Sequence, residues 1–509
     1  MKKVKYIKKL NQEQILLLIV VLLIFPVILL ATGTITSGWH FTDDHETVKL
    51  VEQKIENGVT FWQAFRSAYL IDITHRWRPA YWFLRVLGAY VFGANYVMHN
   101  LFLCVVGMTT YLLLYGTARN FKCSLAFAHL FVGIAVLGRQ YEIWFRIANQ
   151  ENTGLFFLSI CLWIISKQYK DNLFDEKKYD VLLLGSAVIC SLIKESFFLL
   201  LPGIVLFRLA LEGIIIEGRW KKWILLLLRR SPLWIPALVA FLWSAYMIVF
   251  YVGTAPIDYA GVDLDEGWQQ TLWNIMRMRG ESLEDFVDIT ILCTLFLLGG
   301  VVLSVIKRRK ISALYVLCGF LGAYIVIGQI VLYAKSGMWD RYLVPFTVGY
   351  GLIFIILAEK LLFNKYVRAV YGIVLALFLI SRIYMSIVGG AIPYAEEGRQ
   401  IQAMLQYTVD ETSEDADILI CLGGRETNLA ACMYLEEDNR SRVYFCEDDD
   451  IMLWHNNTNS SVEEPEQIDW KILLLDSGED NTFLESKVIT DDWKCRQFGD
   501  CYTVWMKGK

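Results

Sequence analysis

Long apolar runs separated by short polar segments make up most of the first 391 residues. A helix needs about 20 apolar residues to cross a bilayer, and the runs predict about eleven crossings. The short fifth and sixth runs are also compatible with one bent element, because Lys194-Glu195 interrupts them. The runs lie at about 15–31, 96–117, 123–140, 153–167, 180–193, 196–211, 233–253, 288–306, 311–333, 343–363 and 367–389.

Lys and Arg give these predicted spans an orientation. No small-residue cleavage site follows the first run, so a retained span is favoured over a cleaved signal peptide. With the N-terminus in the cytoplasm, the basic segments 119–122, 167–178, 219–230, 307–310 and 360–368 all fall inside. The segments left outside are 35–95, 141–152, 254–287 and 334–342. The positive-inside rule therefore predicts a multi-pass plasma-membrane protein whose C-terminal segment is extracytoplasmic.

A different pattern begins near residue 392. Strand-like apolar runs at 416–424, 442–450 and 470–478 alternate with a helical stretch at 425–438, and 493–508 suggests a hairpin. Such alternation predicts a small α/β domain. Gly423-Gly424 lacks the full GxGxxG pattern, so a plain strand-to-helix turn is favoured over a nucleotide site. The predicted domains are 1–391, transmembrane with the outer loop 35–95, and 392–509, soluble and acidic.

Composition agrees with a membrane protein. The chain is 56% hydrophobic and 20% charged, with a mean hydropathy of +0.42, whereas soluble chains are about 45–50% apolar and about 25% charged. Residues 1–391 carry 38 basic and 26 acidic groups, and residues 392–509 carry 10 and 26, so the net charge of −4 divides into +12 and −16. A soluble enzyme is excluded, and the acidic tail argues against a nucleic-acid partner.

The eleven cysteines include no CxxC pair, which gives metal or redox chemistry little support. Cys495 and Cys501 flank a Gly-Asp turn and are spaced for a disulfide, although the odd number of cysteines in the tail leaves at least one thiol over.

An acidic pair, Asp43-Asp44, lies in the loop that begins just past the first span. Adjacent carboxylates repel each other, which favours binding of a proton or a cation, and such a pair suits a general base. The alternative, favoured by the dipeptide alone, is a solvated cap on a helix starting near Glu46, with Thr42 or Asp43 as N-cap. Asp44 and Glu46 are candidate ligands for a divalent cation, Mg or Mn, but the spacing is not diagnostic of a metal site.

Other charged and aromatic residues stand where membrane physics disfavours them unless they are paired, hydrated or used. Arg side chains before the aromatic-rich amphipathic stretch 80–92 can hold a phosphate by forked hydrogen bonds, or they can simply anchor to lipid headgroups. An interfacial turn or a surface anchor explains several of the others equally well. The candidate substrate-binding residues are His75, Arg76, Arg78, Glu142, Glu151, Lys194, Glu195, Arg341 and Tyr342.

Taken in order, these features resemble the GT-C superfamily of integral-membrane glycosyltransferases, over about the first 390 residues. The resemblance rests on Asp43-Asp44 after the first span, on R-x-R-P before the amphipathic stretch, on Lys194-Glu195, and on Arg341-Tyr342 before Pro345. The chain is similar in kind to protein mannosyltransferases and aminoarabinose transferases, which use polyprenyl-phosphate sugars. The acid pair in the family is often Asp-Glu, so which carboxylate is the base stays open here.

The resemblance implies an inverting transfer of a hexose or pentose from a polyprenyl-phosphate donor. The acceptor would be a glycan, a lipid or a protein on the outer face of the membrane. Asp43 or Asp44 would act as the base, and cations such as Arg78, Lys194 or Arg341 would hold the phosphate. Two alternatives stay open: a transporter or flippase of a lipid-linked or anionic substrate, and a non-catalytic membrane scaffold. No internal repeat of the kind common in transporters is visible.

Overall fold

The structure is a computed structural model. It describes residues 11–252 and 340–508, with gaps at 42, 57, 138, 217–219, 362–363, 448–449, 456–457, 463–466, 477–488 and 490–491, and ten isolated residues between 253 and 339. The chain divides into two compact units, each described here by itself. The helical unit is Met1–Ile28, Arg66–Phe83 and Phe102–Ile387, and the sheet unit is Leu29–Phe65, Leu84–Leu101 and Val388–Lys509.

Helices form most of the described chain. Short 3-10 or π turns lie at Leu23–Val27, Thr34–Thr36, Arg139–Trp144, Met247–Val252, Asp340–Leu343 and Ile387–Ala391. The α-helices are α1 (Gln12–Leu22), α2 (Ile28–Thr32), α3 (His45–Glu56), α4 (Phe61–Asp72), α5 (Pro79–Phe92), α6 (Tyr96–Asn120), α7 (Leu125–Val136), α8 (Glu151–Asp171), α9 (Lys177–Ser191), α10 (Glu195–Phe198), α11 (Leu200–Ile216), α12 (Trp220–Arg229), α13 (Ser231–Tyr246), α14 (Val344–Leu361), α15 (Lys365–Ser386), α16 (Ile392–Glu411) and α17 (Arg425–Glu437).

The apolar runs of the sequence correspond to these helices wherever the structure describes them. The predicted spans 288–306 and 311–333 lie almost wholly outside the described residues, so the count of eleven stays a prediction. Five described stretches are long and apolar enough to cross a membrane: Gln12–Thr32, Tyr96–Asn120, Glu195–Ile214, Ser231–Val252 and Lys365–Glu411. The predicted polytopic helical architecture is confirmed in this coarser form.

A buried ion network joins α9, α11 and the start of α13 in the helical unit. Arg208 is fully buried and donates to Asp180 at 3.1 Å and to Glu212. Arg230 donates to the other oxygen of Glu212 at 2.6 Å. Removing one partner of such a network leaves an uncompensated buried charge. We therefore infer that the network stabilises the packing of these helices. The sequence pattern did not single out these residues.

The sheet unit is built on a seven-stranded mixed sheet. The order is β4-β3-β2-β1-β5-β7-β6, in which β1 is parallel to β2 and β5 and the other neighbours are antiparallel. β1 and β5 are buried along most of their length, as expected of central parallel strands. The strands are β1 (Ile418–Cys421), β2 (Val443–Glu447), β3 (Asp450–His455), β4 (Thr458–Ser461), β5 (Ile472–Asp476), β6 (Trp493–Phe498) and β7 (Tyr502–Lys507).

The predicted strands, helix and hairpin of the tail lie where the pattern placed them, as β1, α17, β2, β5 and the β6–β7 pair. The pattern missed β3 and β4, which extend the sheet at one edge. The turn after β1 leads into α17, and the Asn428 side chain accepts from the backbone N–H of Leu422 at 2.7 Å and donates to the carbonyl of Cys446 at 2.8 Å. The amide occupies the space between two strand ends.

The cysteine pairing differs from the one that the spacing suggested. A disulfide joins Cys421 at the end of β1 to Cys446 on the neighbouring strand β2. Cys495 and Cys501, in contrast, are exposed and are not joined to each other. Two neighbouring parallel strands bring together cysteines that are 25 residues apart in sequence, and the spacing of cysteines along the chain does not predict such a pair.

The core of the sheet unit also includes residues from the predicted outer loop. Phe41 and Val48 are buried in one cluster with Ile401, Tyr434 and Tyr502. This grouping differs from the predicted division, which placed the whole loop 35–95 with the transmembrane part. The loop segment 29–65 is therefore an integral part of the fold around the sheet.

We expect Phe41→Ala to destabilise the sheet unit of the full-length protein. The ring is 3% exposed, and truncating a buried Phe to Ala costs about 3–5 kcal/mol. Limited proteolysis of the detergent-solubilised protein should cut within 388–509 faster than in the wild type. The control is Trp62→Ala, because Trp62 is 66% exposed; equal protection of both variants would contradict the structural role of the loop.

Candidate functional site

Five charged residues from separate parts of the helical unit form one buried cluster. They come from the loop after α4, the start of α8, the turn between α9 and α10, and the turn before α14. Arg76, Glu151 and Arg341 lie in segments predicted to be outside the cytoplasm, whereas Lys194-Glu195 interrupts two predicted spans. The charged cluster consists of Arg76, Glu151, Lys194, Glu195 and Arg341.

Arg76 is held against Glu195 by two parallel hydrogen bonds. Its Nη2 lies 2.9 Å and its Nε 3.3 Å from the two carboxylate oxygens, and Glu195 is only 3% exposed. The adjacent Trp77 is buried and donates to Ser244 at 3.2 Å, which fixes the loop against α13. A forked Arg–carboxylate pair is geometrically specific, so Glu195 sets the position of Arg76.

Lys194 and Glu151 form a second buried ion pair. The two residues are 3% and 1% exposed, and the ammonium group donates to the Glu151 carboxylate. The Nζ atom also lies 3.8 Å from the centroid of the Tyr342 ring. An ammonium group has three donors, so one ion pair leaves this cation the capacity to bind a further anion.

Arg341 differs from the other two cations of the cluster in its contacts. Its Nη1 donates to the Oδ1 of Asn149 at 3.1 Å. Its buried Nε and the Nδ2 of Asn149 have no hydrogen-bond partner among the described residues. Buried donors are normally satisfied, so the two unsatisfied donors on this hydrogen-bonded pair of residues indicate a place for an acceptor. The cluster holds three cations and two carboxylates, an excess of one positive charge.

Of the remaining predicted substrate-binding residues, Arg78 and Glu142 have ion-pair partners of their own. Arg78 makes a forked contact with the buried Asp72, at 2.7–3.0 Å, and lies over the Tyr81 ring. Glu142 pairs with Arg146 at 3.3 Å on a partly exposed turn. His75 is exposed on the loop that carries Arg76. Arg78 is therefore less able to take up a new anion than Lys194 or Arg341.

The acidic loop, residues 40–46, belongs to the sheet unit, and its two carboxylates have different surroundings. Asp43 is exposed and has a left-handed backbone, with φ +64°. Asp44 is 1% exposed, and its carboxylate accepts from the backbone N–H of His40 at 3.2 Å. Asp is among the few residues that tolerate this backbone region. Of the two acids, Asp43 is the one whose side chain faces solvent.

Arg85 on α5 fixes the acidic loop, and the sequence analysis did not single it out. It donates to the backbone carbonyl of Asp43 and to the Thr47 hydroxyl at 3.2 Å, and it pairs with Glu46 at 3.0 Å. The signal was available, because Arg85 is the one charged residue between Pro79 and Phe92. A buried Arg in an apolar helix needs partners, and the acidic loop is rich in acceptors.

The neighbours of the acid pair bear on the metal hypothesis. Glu46 is engaged by Arg85, and burial lowers the pKa of His45, whose Nδ1 lies 3.1 Å from the Phe41 carbonyl. Among the described residues there is no group of three or more His, Cys, Asp or Glu side chains arranged to hold a metal ion. In the described part of the chain, Asp44 and Glu46 therefore do not form a metal site with a third His, Cys, Asp or Glu ligand.

Comparison with known proteins finds solved structures that are similar to this chain at low sequence identity. No family model matches the chain, and no curated protein matches it. The chain is similar to the crystal structure of ArnT from Cupriavidus metallidurans bound to undecaprenyl phosphate, over 96% of this chain and 97% of that one, at 12% identity and a TM-score of 0.49. For the apo state of ArnT the coverage is the same, at 11% identity and a TM-score of 0.44.

Proposed function

We propose that the protein is a membrane glycosyltransferase of the GT-C kind that moves a sugar from a polyprenyl-phosphate donor to an acceptor outside the cytoplasm. The observation that supports this most is the charged cluster. It combines an excess positive charge, two unsatisfied donors and an origin in three segments predicted to be outside the cytoplasm, joined by the turn that carries Lys194 and Glu195. Buried excess charge is costly unless an anion compensates it, and a lipid-linked phosphate is an anion that enters from the bilayer.

In this proposal Arg341 and Lys194 hold the donor phosphate, while Arg76, fixed by Glu195, adds positive potential beside them. Charge develops on the phosphate oxygen as its bond to the anomeric carbon breaks. Fixed cations in a water-poor site stabilise such charge more strongly than water does. The leaving group is then a polyprenyl phosphate, and the sugar passes to the acceptor oxygen.

The base in this proposal is Asp43. It takes the proton of the acceptor hydroxyl while that oxygen attacks the anomeric carbon from the side opposite the phosphate. One displacement of this kind inverts the anomeric centre and needs no covalent enzyme intermediate. The solvent-facing carboxylate of Asp43 supports this assignment over Asp44. The acceptor class, glycan, lipid or protein, follows from the resemblance alone.

The test is turnover by the purified full-length protein with a panel of polyprenyl-phosphate sugars, reading release of the lipid phosphate. Arg341→Gln should raise the donor KM by roughly 10- to 100-fold, because a charged hydrogen bond contributes about 1.5–3 kcal/mol. Arg146→Gln is the matched control, since Arg146 is 40% exposed on a nearby turn. No release from any donor, or equal KM values for the two variants, would contradict the proposal.

The proposed orientation places residues 392–509 outside the cytoplasm. The Cys421–Cys446 disulfide supports it, because disulfides persist in oxidising compartments. We expect protease added to intact cells to cleave within this segment, and a cysteine-alkylating reagent added after denaturation to leave Cys421 and Cys446 unmodified until a reductant is present. Cleavage only after lysis, with both thiols alkylated without reductant, would reverse the orientation.

A further inference from the structure

A groove on the helical unit is separate from the charged cluster and takes no part in the proposed transfer. It lies between α1, α6, α7, α14 and α15 and has a volume of about 810 Å³. Most of its lining is apolar, from residues such as Val20, Ile24, Phe127, Leu130, Ile373 and Leu379. Its polar lining includes Ser124, Glu359, Lys365 and Arg368.

One side of the groove is a single stripe along α15. The lining positions on this helix are 365, 368, 369, 372, 373, 376 and 379, which is the spacing of one helical face. The two cations stand at the start of the stripe, and the small residues Ala369, Gly372 and Ala376 follow. At 1.5 Å per residue the stripe is roughly 21 Å long, somewhat more than the roughly 15 Å depth of one leaflet's hydrocarbon.

The polar end of the groove carries a positive charge. Arg368 pairs with Glu359 at 3.0 Å, and the same carboxylate accepts from the backbone N–H of Ser124 at 3.0 Å. Lys365 is exposed beside this pair, so the lining acids and bases sum to one positive charge. Further along, His129 contacts Tyr111 at 2.8 Å, and its buried Nε2 has no hydrogen-bond partner among the described residues.

We propose that this groove is a binding site for one anionic phospholipid. The phosphate pairs with Lys365 and Arg368, the Ser124 hydroxyl is an additional donor, and one acyl chain lies along the small residues of α15. The positive charge at one end of the groove matches an anionic headgroup, and the apolar part of the groove is long enough for an acyl chain that spans one leaflet. Ser124 follows the basic segment 119–122 closely in sequence, and Lys365 and Arg368 lie in the basic segment 360–368. Both segments are predicted to face the cytoplasm, which places the lipid in the inner leaflet.

The experiment is native mass spectrometry of the full-length protein in detergent micelles. Phosphatidylglycerol and phosphatidylcholine with matched acyl chains are added in equal amounts before the protein is released from the micelles. We expect retained phosphatidylglycerol on the wild type, at a stoichiometry of one. Ala376→Phe should reduce the retained phosphatidylglycerol at least tenfold, because the ring fills the path of the acyl chain. Each acyl methylene that is no longer buried weakens binding about fourfold. Leu377→Phe is the matched control, because Leu377 is 63% exposed on the same helix and does not line the groove.

A second pair of variants guards against misfolding of Ala376→Phe. Ile373→Ala removes an exposed lining side chain and should weaken retention several-fold, whereas Ile380→Ala, equally exposed but outside the groove, should not. Lys365→Gln should reduce the preference for phosphatidylglycerol over phosphatidylcholine. Equal retention of the two lipids by the wild type would overturn the proposal. So would unchanged retention in both groove variants, displacement by an equal amount of decaprenyl phosphate, or a protein dimer in place of the lipid adduct.

Discussion

Asp43→Asn should lower sugar transfer by about 10²–10⁴-fold, the usual contribution of a general base. The substitution keeps the size of the side chain and removes its basicity. Asn also tolerates the left-handed backbone that Asp43 adopts, so the loop keeps its shape. The measurement is kcat for release of the lipid phosphate, together with the donor Kd, which should not change because the acid does not bind the phosphate.

The neighbouring acid provides the control. Asp44 is buried, and its carboxylate accepts from the His40 backbone, so Asp44→Asn should lower thermal stability more than Asp43→Asn does. Its turnover, corrected for the folded fraction, should fall less. Near-wild-type turnover by both variants would remove the acidic loop from the mechanism. A loss confined to Asp44→Asn would keep the site and make Asp44 the base. Recovery of Asp44→Asn turnover by excess Mg²⁺ or Mn²⁺ would instead make Asp44 a metal ligand.

The parts of the fold that could be predicted from the sequence are those with a local physical cause. A continuous apolar run has few solutions other than a helix in lipid, so every predicted span within the described residues is a helix. In the tail, β1 and α17 were recognisable because a short apolar run, two glycines and an amphipathic stretch follow one another. Strand β4 has no such run, because Thr458–Ser461 is wholly polar, and its place in the sheet depends on its neighbour. Strand β3 does contain an apolar run, Ile451–Trp454, but the predicted strand 442–450 included the acidic segment before it, so the run was not recognised as a separate strand.

The sequence predicted the candidate site only through the free-energy cost of placing a charged side chain in lipid, which marks such residues as paired or functional. That reasoning found all five members of the charged cluster, because each is an ionisable group beside an apolar segment. It could not find Asn149, whose importance depends on the contact with Arg341, nor the pairing of Lys194 with Glu151 across 43 residues. The difference between Asp43 and Asp44 also arises from tertiary packing, since the two share every local feature.

Lys194→Met should strongly destabilise the helical unit. It leaves the Glu151 carboxylate buried without its ion-pair partner, at a cost of about 3–5 kcal/mol for a broken buried pair. The measurement is the thermal unfolding midpoint in detergent. Lys178→Met is the matched control, because Lys178 and Glu176 form the same type of pair at 66% and 44% exposure, where an ion pair contributes at most about 1 kcal/mol. Equal shifts for the two variants would contradict the buried pair.

The double variant Lys194→Met/Glu151→Gln separates a structural role of Lys194 from a role in binding the donor. Both charges of the pair are then absent, and the excess of one positive charge in the cluster is unchanged. We expect most of the lost stability to return, since replacing a buried pair by neutral groups is often close to neutral in free energy. If Lys194 binds the donor phosphate, the donor KM of the folded double variant stays raised by about tenfold or more, because a charged hydrogen bond is still missing. A double variant that recovers both stability and donor KM would reduce Lys194 to a partner of Glu151 and leave Arg341 as the principal contact for the phosphate.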